Sequence, residues 1–302
     1  MKWRRTKSKD VIDKRGAGPA APSGGGFSLP GGMALPAGGA GVVVVIIIVA
    51  IQVLGGGGSE GFQLPDAFSP QAQAPGDPKG QGIPPSQDPQ RDLKNFSTYV
   101  FVDAQETWEG TFESEGDGYQ DAKLVLYDGA VNTGGCGHAT SAVGPFYCPA
   151  DERVYLDLTF YDDMSSQLGA PGDFAWAYVI AHEMGHHVQR LTGTSAEVDR
   201  QGASDPGDAN ELSVRLELQA DCYAGVWANT VYVQGDIEAG DLDEAFTATE
   251  AIGDDRLQTQ AGGEVDPDSF THGTSEQRRT WFERGYESGD PGACDTFSAD
   301  EL

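Results

Sequence analysis

Ala181-His182-Glu183-Met184-Gly185-His186-His187 sets two histidines four residues apart with a glutamate beside the first. On an α-helix, positions four apart lie about 40° apart around the axis, so His182 and His186 face one ion while Glu183 projects next to them. The surrounding segment reads as helix on independent grounds: Asp173 can cap it, apolar residues carry it to about Leu191, and Gly193 stops it. Zinc accepts neutral imidazole nitrogen, and a catalytic zinc uses three protein ligands with a fourth position open to water. In that chemistry the ion lowers the pKa of the water, and Glu183 takes the proton and passes it to the leaving amine. A solvated His/Glu helix face carries the same four letters by chance, so a third ligand has to decide.

Downstream stands Glu217-Leu-Gln-Ala-Asp221, again a pair four residues apart, on a helix read from about Asn210 to Val231. Glu217 is placed to complete a His, His, Glu site, and Asp221 to accept the free N–H of a ligand histidine. A solvent-exposed acidic face has this spacing too. Here, however, Leu212, Val214, Leu216, Leu218, Val226 and Trp227 surround the pair, which reads as a covered helix, and a buried carboxylate needs a partner. The two motifs together imply Zn2+ as cofactor, held by His182, His186 and Glu217, with Glu183 as general base.

Outward from these helices, Phe96, Val100, Trp108 and Phe112 recur at helical intervals and predict a helix from about Leu93 to Phe112. Lys123–Tyr127 and Arg153–Thr159 alternate as strands do, the second with Val154, Leu156 and Leu158 on one face. Asp241 with Glu244, and Thr274 with Gln277, read as capping boxes that open two more helices. Few strands followed by many helices make an α+β class.

The first ninety or so residues differ in kind. Met1–Arg15 carries seven Lys/Arg against Asp10 and Asp13, whereas the whole chain of 302 residues has a formal charge of -28. The acidic remainder repels nucleic acid, which is not expected as a partner. No charged residue lies between Arg15 and Glu60, and the interval contains the apolar run Gly41–Leu54. Extended by flanking Ala, Leu and Gly, it makes one transmembrane segment, and the positive-inside rule then puts the N-terminus in the cytoplasm. A cleaved signal peptide fits less well, because some 25 uncharged residues separate the basic start from the apolar core and no clear Ala-x-Ala site follows. Residues rich in Pro, Gln and Gly then form a disordered tether. The expected organisation is a basic cytoplasmic and Gly-rich segment 1–33, a transmembrane segment 34–57, a linker 58–92 and a catalytic domain 93–302 outside the cytoplasm.

Cys136, Cys148, Cys222 and Cys294 permit three pairings, and disulfides persist outside the cytoplasm. Pairing Cys136 with Cys148 would close a short loop and leave Cys222 to tie the C-terminal tail, through Cys294, to the second ligand helix. Among other residues, His272 precedes a capping box and is a candidate to stabilise an oxyanion, a role some donor must fill. Tyr147 and Tyr155 are weaker candidates, since aromatic residues near strands usually pack. His187 points about 100° away from His186 and reads as packed against the site rather than as a ligand; His138, in a Gly-rich turn, reads as structural.

The chain resembles the bacterial neutral zinc metallopeptidases in CGHATSAVGPFYCPADERVYLDLTF (136–160), AWAYVIAHEMGHHVQRLTG (175–193), ELQADCYAGVWA (217–228) and HGTSEQRRTWFERGYESGD (272–290). The resemblance covers nearly all of the globular part and the basic N-terminus with its apolar segment. It implies a membrane-anchored peptidase, zinc dependence, and a zincin-like domain with a small sheet, an active-site helix and a glutamate third ligand. Long acidic insertions and an extended tether depart from the family pattern. The expected substrate is a peptide or protein, with the strand at Arg153–Thr159 as the edge against which it would pair; the oligomeric state is not legible. The rival reading is a non-catalytic cell-envelope interaction module with a structural or vestigial zinc. Glu183 argues against it, because a structural site is closed by four protein ligands and has no use for a general base.

Overall fold

The computed structural model of the chain describes residues 1–16 and 83–302, so the segment 34–57 and linker residues 58–82 lie outside the described residues. In chain order come β1 (Val11–Asp13), α1 (Arg91–Glu115), β2 (Lys123–Tyr127), β3 (Ala130–Asn132), β4 (His138–Thr140), β5 (Phe146–Cys148) and β6 (Arg153–Asp157). The helical half follows: α2 (Phe160–Ser166), α3 (Asp173–Thr192), α4 (Thr194–Ser204), α5 (Ala209–Gln234), α6 (Asp241–Ala251), α7 (Asp254–Gln260) and α8 (Ser275–Ser288). The α+β expectation holds. Among the described residues no helix is long and apolar enough to cross a membrane.

The main sheet has the order β1-β2-β6-β5, with β1, β2 and β6 parallel and β5 antiparallel to β6. Register pairs Leu124 with Val154 and Leu126 with Leu156, and all four enter the main core with Phe101, Trp176 and Tyr178. The opposite face is covered as well. Val125, Tyr127 and Tyr155 pack with Val131, Val143 and Cys148 under the two-stranded β3–β4 ladder. Both faces of β2 and β6 are therefore buried, which suits strands rich in β-branched and aromatic residues. It also corrects the expectation that Arg153–Thr159 forms an edge: β6 is flanked by β2 and β5, and β5 is the outer strand.

Helix ends follow the sequence signals where glycine supplies the left-handed turn. Gly193 closes α3 at φ 82°. Thr274 and Gln277 form the expected capping box at the start of α8. The acidic starts behave differently. Asp173 and Asp241 are the first helical residues of α3 and α6, neither N-cap makes a side-chain cap bond, and Glu244 accepts the backbone N–H of Phe174. Their carboxylates instead receive the α-ammonium of Met1, at 3.0 Å from Asp173 Oδ1 and 3.2 Å from Asp241 Oδ1.

Residues 1–16 pack on the same body as residues 93–302: they contribute β1, bury Met1 in the main core, and bury Arg15 against Asp13 and Asp88. β1 was invisible to local pattern because its partner β2 lies more than a hundred residues away.

Helix α5 is clamped between α3 and α8 by small residues. A Cβ on Gly225 would lie 2.1 Å from the Phe282 carbonyl oxygen, and one on Gly285 would lie 1.9 Å from that of Cys222. Disulfides Cys136–Cys148 and Cys222–Cys294 complete the frame, the second joining α5 to the C-terminal tail.

Candidate metal centre

The site lies where α3 crosses α5. Gly185 stands at the crossing, and a Cβ there would be 3.0 Å from the Ala220 carbonyl oxygen and 3.1 Å from its Cα. This close approach brings the imidazoles of His182 and His186 to the Glu217 carboxylate: His182 Nε2 is 3.2 Å from Glu217 Oε2 and His186 Nε2 is 3.5 Å from Oε1. One ligand atom from each of the three residues fits within 4.8 Å of the others, and all three residues are buried.

The outer nitrogens of both histidines are committed. His182 Nδ1 is 2.8 Å from Asp221 Oδ1. A carboxylate can only accept here, so Nδ1 carries a hydrogen, and in the neutral imidazole that binds a metal Nε2 is left with its lone pair. His186 Nδ1 is 2.8 Å from Gln189 Oε1, and the amide orientation is fixed because Gln189 Nε2 donates to the Leu216 carbonyl at 2.6 Å. Both Nε2 atoms and Glu217 Oε2 are buried with no hydrogen-bond partner among the described residues. Buried polar atoms are seldom left so, and two imidazole lone pairs facing a carboxylate form a donor set that suits zinc.

Asp221 is the hub behind this set. Besides His182, its Oδ1 accepts from Tyr178 Oη at 2.5 Å and Arg278 Nη2 at 2.9 Å, and its Oδ2 accepts from Arg278 Nε at 2.8 Å. Burial alone would raise the Asp221 carboxyl, but Arg278 and His182 hold it down to about 2. Burial would likewise raise Glu217, which His186 and His182 hold down to about 2. Burial keeps His186 at about 4 and hence neutral. It would lower His182 as well, but Asp221, with Glu217 behind it, raises that group to about 9.

Glu183 is fully buried, and neither carboxylate oxygen has a partner among the described residues. Burial pushes it up to about 7, with Glu217 adding to the effect and His182 opposing it. His272 comes to the same place from the loop before α8. Its Nδ1 is 3.0 Å from Asp254 Oδ1, and Asp254 Oδ2 accepts the backbone N–H groups of Thr271, His272 and Gly273. His272 Nε2 remains buried and unpartnered among the described residues, and its charge is felt at Glu217.

The other singled-out residues are engaged elsewhere. His187 Nδ1 is 2.9 Å from Tyr147 Oη and its Nε2 is 2.7 Å from the Gln120 carbonyl, so it is packed as expected. Tyr155 donates to Asp151 at 2.7 Å, and His138 pairs with Asn132 across the β3–β4 ladder. Sequence reasoning missed Arg278, Gln189 and Asp254. For Arg278 there was a signal, since Trp281 and Phe282 lie three and four residues on and mark its side of α8 as apolar. Asp254 and Gln189 offered none.

A second group of carboxylates, Asp173, Asp241 and Glu244, also meets metal spacing. There the ammonium of Met1 already supplies the cation.

The sequence matches the family described as "Putative neutral zinc metallopeptidase" over residues 1–297. It is 45% identical to the uncharacterized protein YpfJ of Escherichia coli over 298 residues, which covers 98% of this chain and 99% of that protein. It is 46% identical over 198 residues to an uncharacterized protein of Mycobacterium tuberculosis, covering 61% of this chain and 65% of that protein. No solved structure matches.

Proposed function

Because the chain belongs to the neutral zinc metallopeptidase family, we propose that it is a zinc-dependent peptidase that hydrolyses peptide bonds outside the cytoplasm, anchored by its apolar N-terminal segment. The observation that carries this reading is the convergence of unpartnered buried atoms: Nε2 of His182 and His186, Oε2 of Glu217 and both oxygens of Glu183. His182, His186 and Glu217 would hold Zn2+, which when bound supplies a Lewis acid that makes water nucleophilic near neutral pH.

The chain's own groups divide the remaining work. Asp221 and Gln189 fix each ligand imidazole by its Nδ1 hydrogen. Glu183, raised to about 7, is poised to accept a proton at a carboxylate oxygen and to return it to the departing amine. Burial would lower His272, but the bond from Nδ1 to Asp254, with Glu217 adding to it, raises it above its ordinary value, and the imidazolium so favoured offers its Nε2 hydrogen to the carbonyl oxygen as charge develops there. β5 replaces β6 as the strand an extended substrate would join: it is the outer strand on the site's side, and Tyr147 on it touches His187. The two disulfides support an oxidising compartment.

The test is zinc content and hydrolysis of a diverse peptide library by the full chain in detergent, with Glu183→Gln and Glu217→Ala alongside. Wild type should bind about one zinc and cleave, as three protein ligands with one open position require. Glu183→Gln should keep the metal and lose cleavage, and Glu217→Ala should lose the metal. Full metal with no cleavage by any form would favour the interaction-module reading instead.

A further inference from the structure

The basic N-terminal segment and the acidic domain are bonded to each other at both ends of residues 1–16. At the start, the α-ammonium of Met1 lies within 3.0 Å of Asp173, 3.2 Å of Asp241 and 3.6 Å of Glu238. Lys2 follows, donating its backbone N–H to the Asp236 carbonyl at 2.8 Å and its Nζ to that of Gly235 at 2.6 Å. Trp3 sets its ring edge against Phe96 at 5.7 Å. At the far end Val11, Ile12 and Asp13 pair in parallel with Leu124, Val125 and Leu126. Lys123 reaches Asp10 at 2.9 Å and Lys94 reaches Asp13 at 2.6 Å. The fully buried Arg15 is shared between Asp13 at 2.9 Å and Asp88 at 2.7 Å.

Between these two bonded parts the sequence carries a single apolar run, Val42–Leu54. One crossing of a bilayer there would separate residues 1–16 from residues 83–302 by a hydrocarbon layer of about 30 Å, and none of the contacts between the two parts could form. The positive-inside rule counts Lys and Arg as though they were free. Here Asp173 and Asp241 neutralise the Met1 ammonium and Asp88 shares Arg15 with Asp13, so the charges that would retain the N-terminus in the cytoplasm are partly spoken for. The family match takes in residues 1–16 together with the rest of the chain.

The chemistry of the first contact adds a requirement. Asp241 is 4% exposed, and Asp173 shares its cation. Acylation of the Met1 nitrogen removes that cation, and an N-terminal extension moves it away; either leaves two close carboxylates facing each other at the starts of α3 and α6. The positive ends of two helices favour carboxylates but do not replace an ammonium bonded to both.

We propose that residues 1–16 and 83–302 fold as one body on the same side of the membrane, latched by the free α-amino group of Met1. The topology arm of the test places single cysteines at exposed positions of the full chain, Lys7→Cys and Ser114→Cys, and treats intact and then permeabilised cells with a membrane-impermeant maleimide. Both positions should label alike, either both before permeabilisation or both only after it. Labelling of one before and the other only after would overturn the shared-side assignment.

The latch arm follows amide exchange of Val11–Asp13 in the purified full chain, compared with a chain extended by Gly-Ser ahead of Met1 and with Asp241→Asn. Protection should fall at least tenfold in both altered chains while that of α5 is kept. Unchanged protection in either would overturn the latch. Neither arm uses metal or hydrolysis, so the outcome is independent of the peptidase chemistry; labelling of both positions only after permeabilisation would keep the shared side and overturn the placement outside the cytoplasm.

Discussion

Gly185 on α3 faces Ala220 on α5 more closely than a Cβ ordinarily meets its neighbours, the nearest atom being 3.0 Å from where a Cβ would stand. The crossing is the reason His182 and His186 reach Glu217. Gly185→Ala should force the helices apart and cost about 1–3 kcal/mol, the usual range for overpacking. A lower Tm together with weaker zinc binding is expected. A normal zinc affinity with a lower Tm would mean that the crossing does not set the ligand spacing.

Asp221→Asn leaves the guanidinium of Arg278 buried without its charge partner and weakens the hold on His182 Nδ1. Breaking such a buried pair costs about 3–5 kcal/mol, and loss of a group that orients a metal ligand costs roughly 10–100-fold in metal affinity. Zinc titration and denaturant unfolding of the variant should show both losses. Stability without change would place the Asp221–Arg278 pair outside the folding balance.

His272→Ala should retain zinc and fold, and should lower kcat by roughly 10²–10³ if Nε2 is the oxyanion donor. Asp254→Asn acts one step back, through the imidazole's orientation, and should reduce kcat less while shifting its pH profile. Single-turnover kinetics on a cleaved peptide would check the order. Equal activity of His272→Ala and wild type would remove His272 from the reaction.

Stability should fall at both ends of the pH scale through the N-terminal contacts. Burial would lower the Met1 ammonium, but hydrogen bonds and charge from Asp173 and Asp241 raise it above its ordinary 8.0. A group raised by folding contributes stability that is complete below pH 8.0 and is lost as the pH climbs through the folded value. Asp13 has the opposite sign. Burial would raise it, but Arg15 and Lys94 hold it below 3.8, so its contribution is present above that pH and is lost as the pH falls through the lower folded value. Tm measured across the range should show both limbs, with the alkaline one flattened in Asp241→Asn. An identical alkaline limb in that variant would assign it to other groups.

Periodicity was enough to find α1, α3 and α5 and the strands β2 and β6, because each is long or strongly alternating. His182, His186, Glu217 and Asp221, with Glu183, stood out as candidates for the same reason, since helical spacing puts them on shared faces. What local pattern could not show were partners far along the chain. Asp173 and Asp241 read as caps because only neighbouring backbone was in view, whereas their partner is Met1. β3, β4 and β5 are three residues each, too short to alternate visibly. Asp254 lies 18 positions from His272, with nothing in between to mark the pair.

The docking of Met1 has a consequence in time. Met1 bonds to Asp241, which is made 240 positions later. At about 5–20 residues per second the amino group waits roughly tens of seconds for its partner. During that interval it is exposed to any enzyme that modifies chain ends, so the state in which it finally docks is decided before the domain exists to receive it.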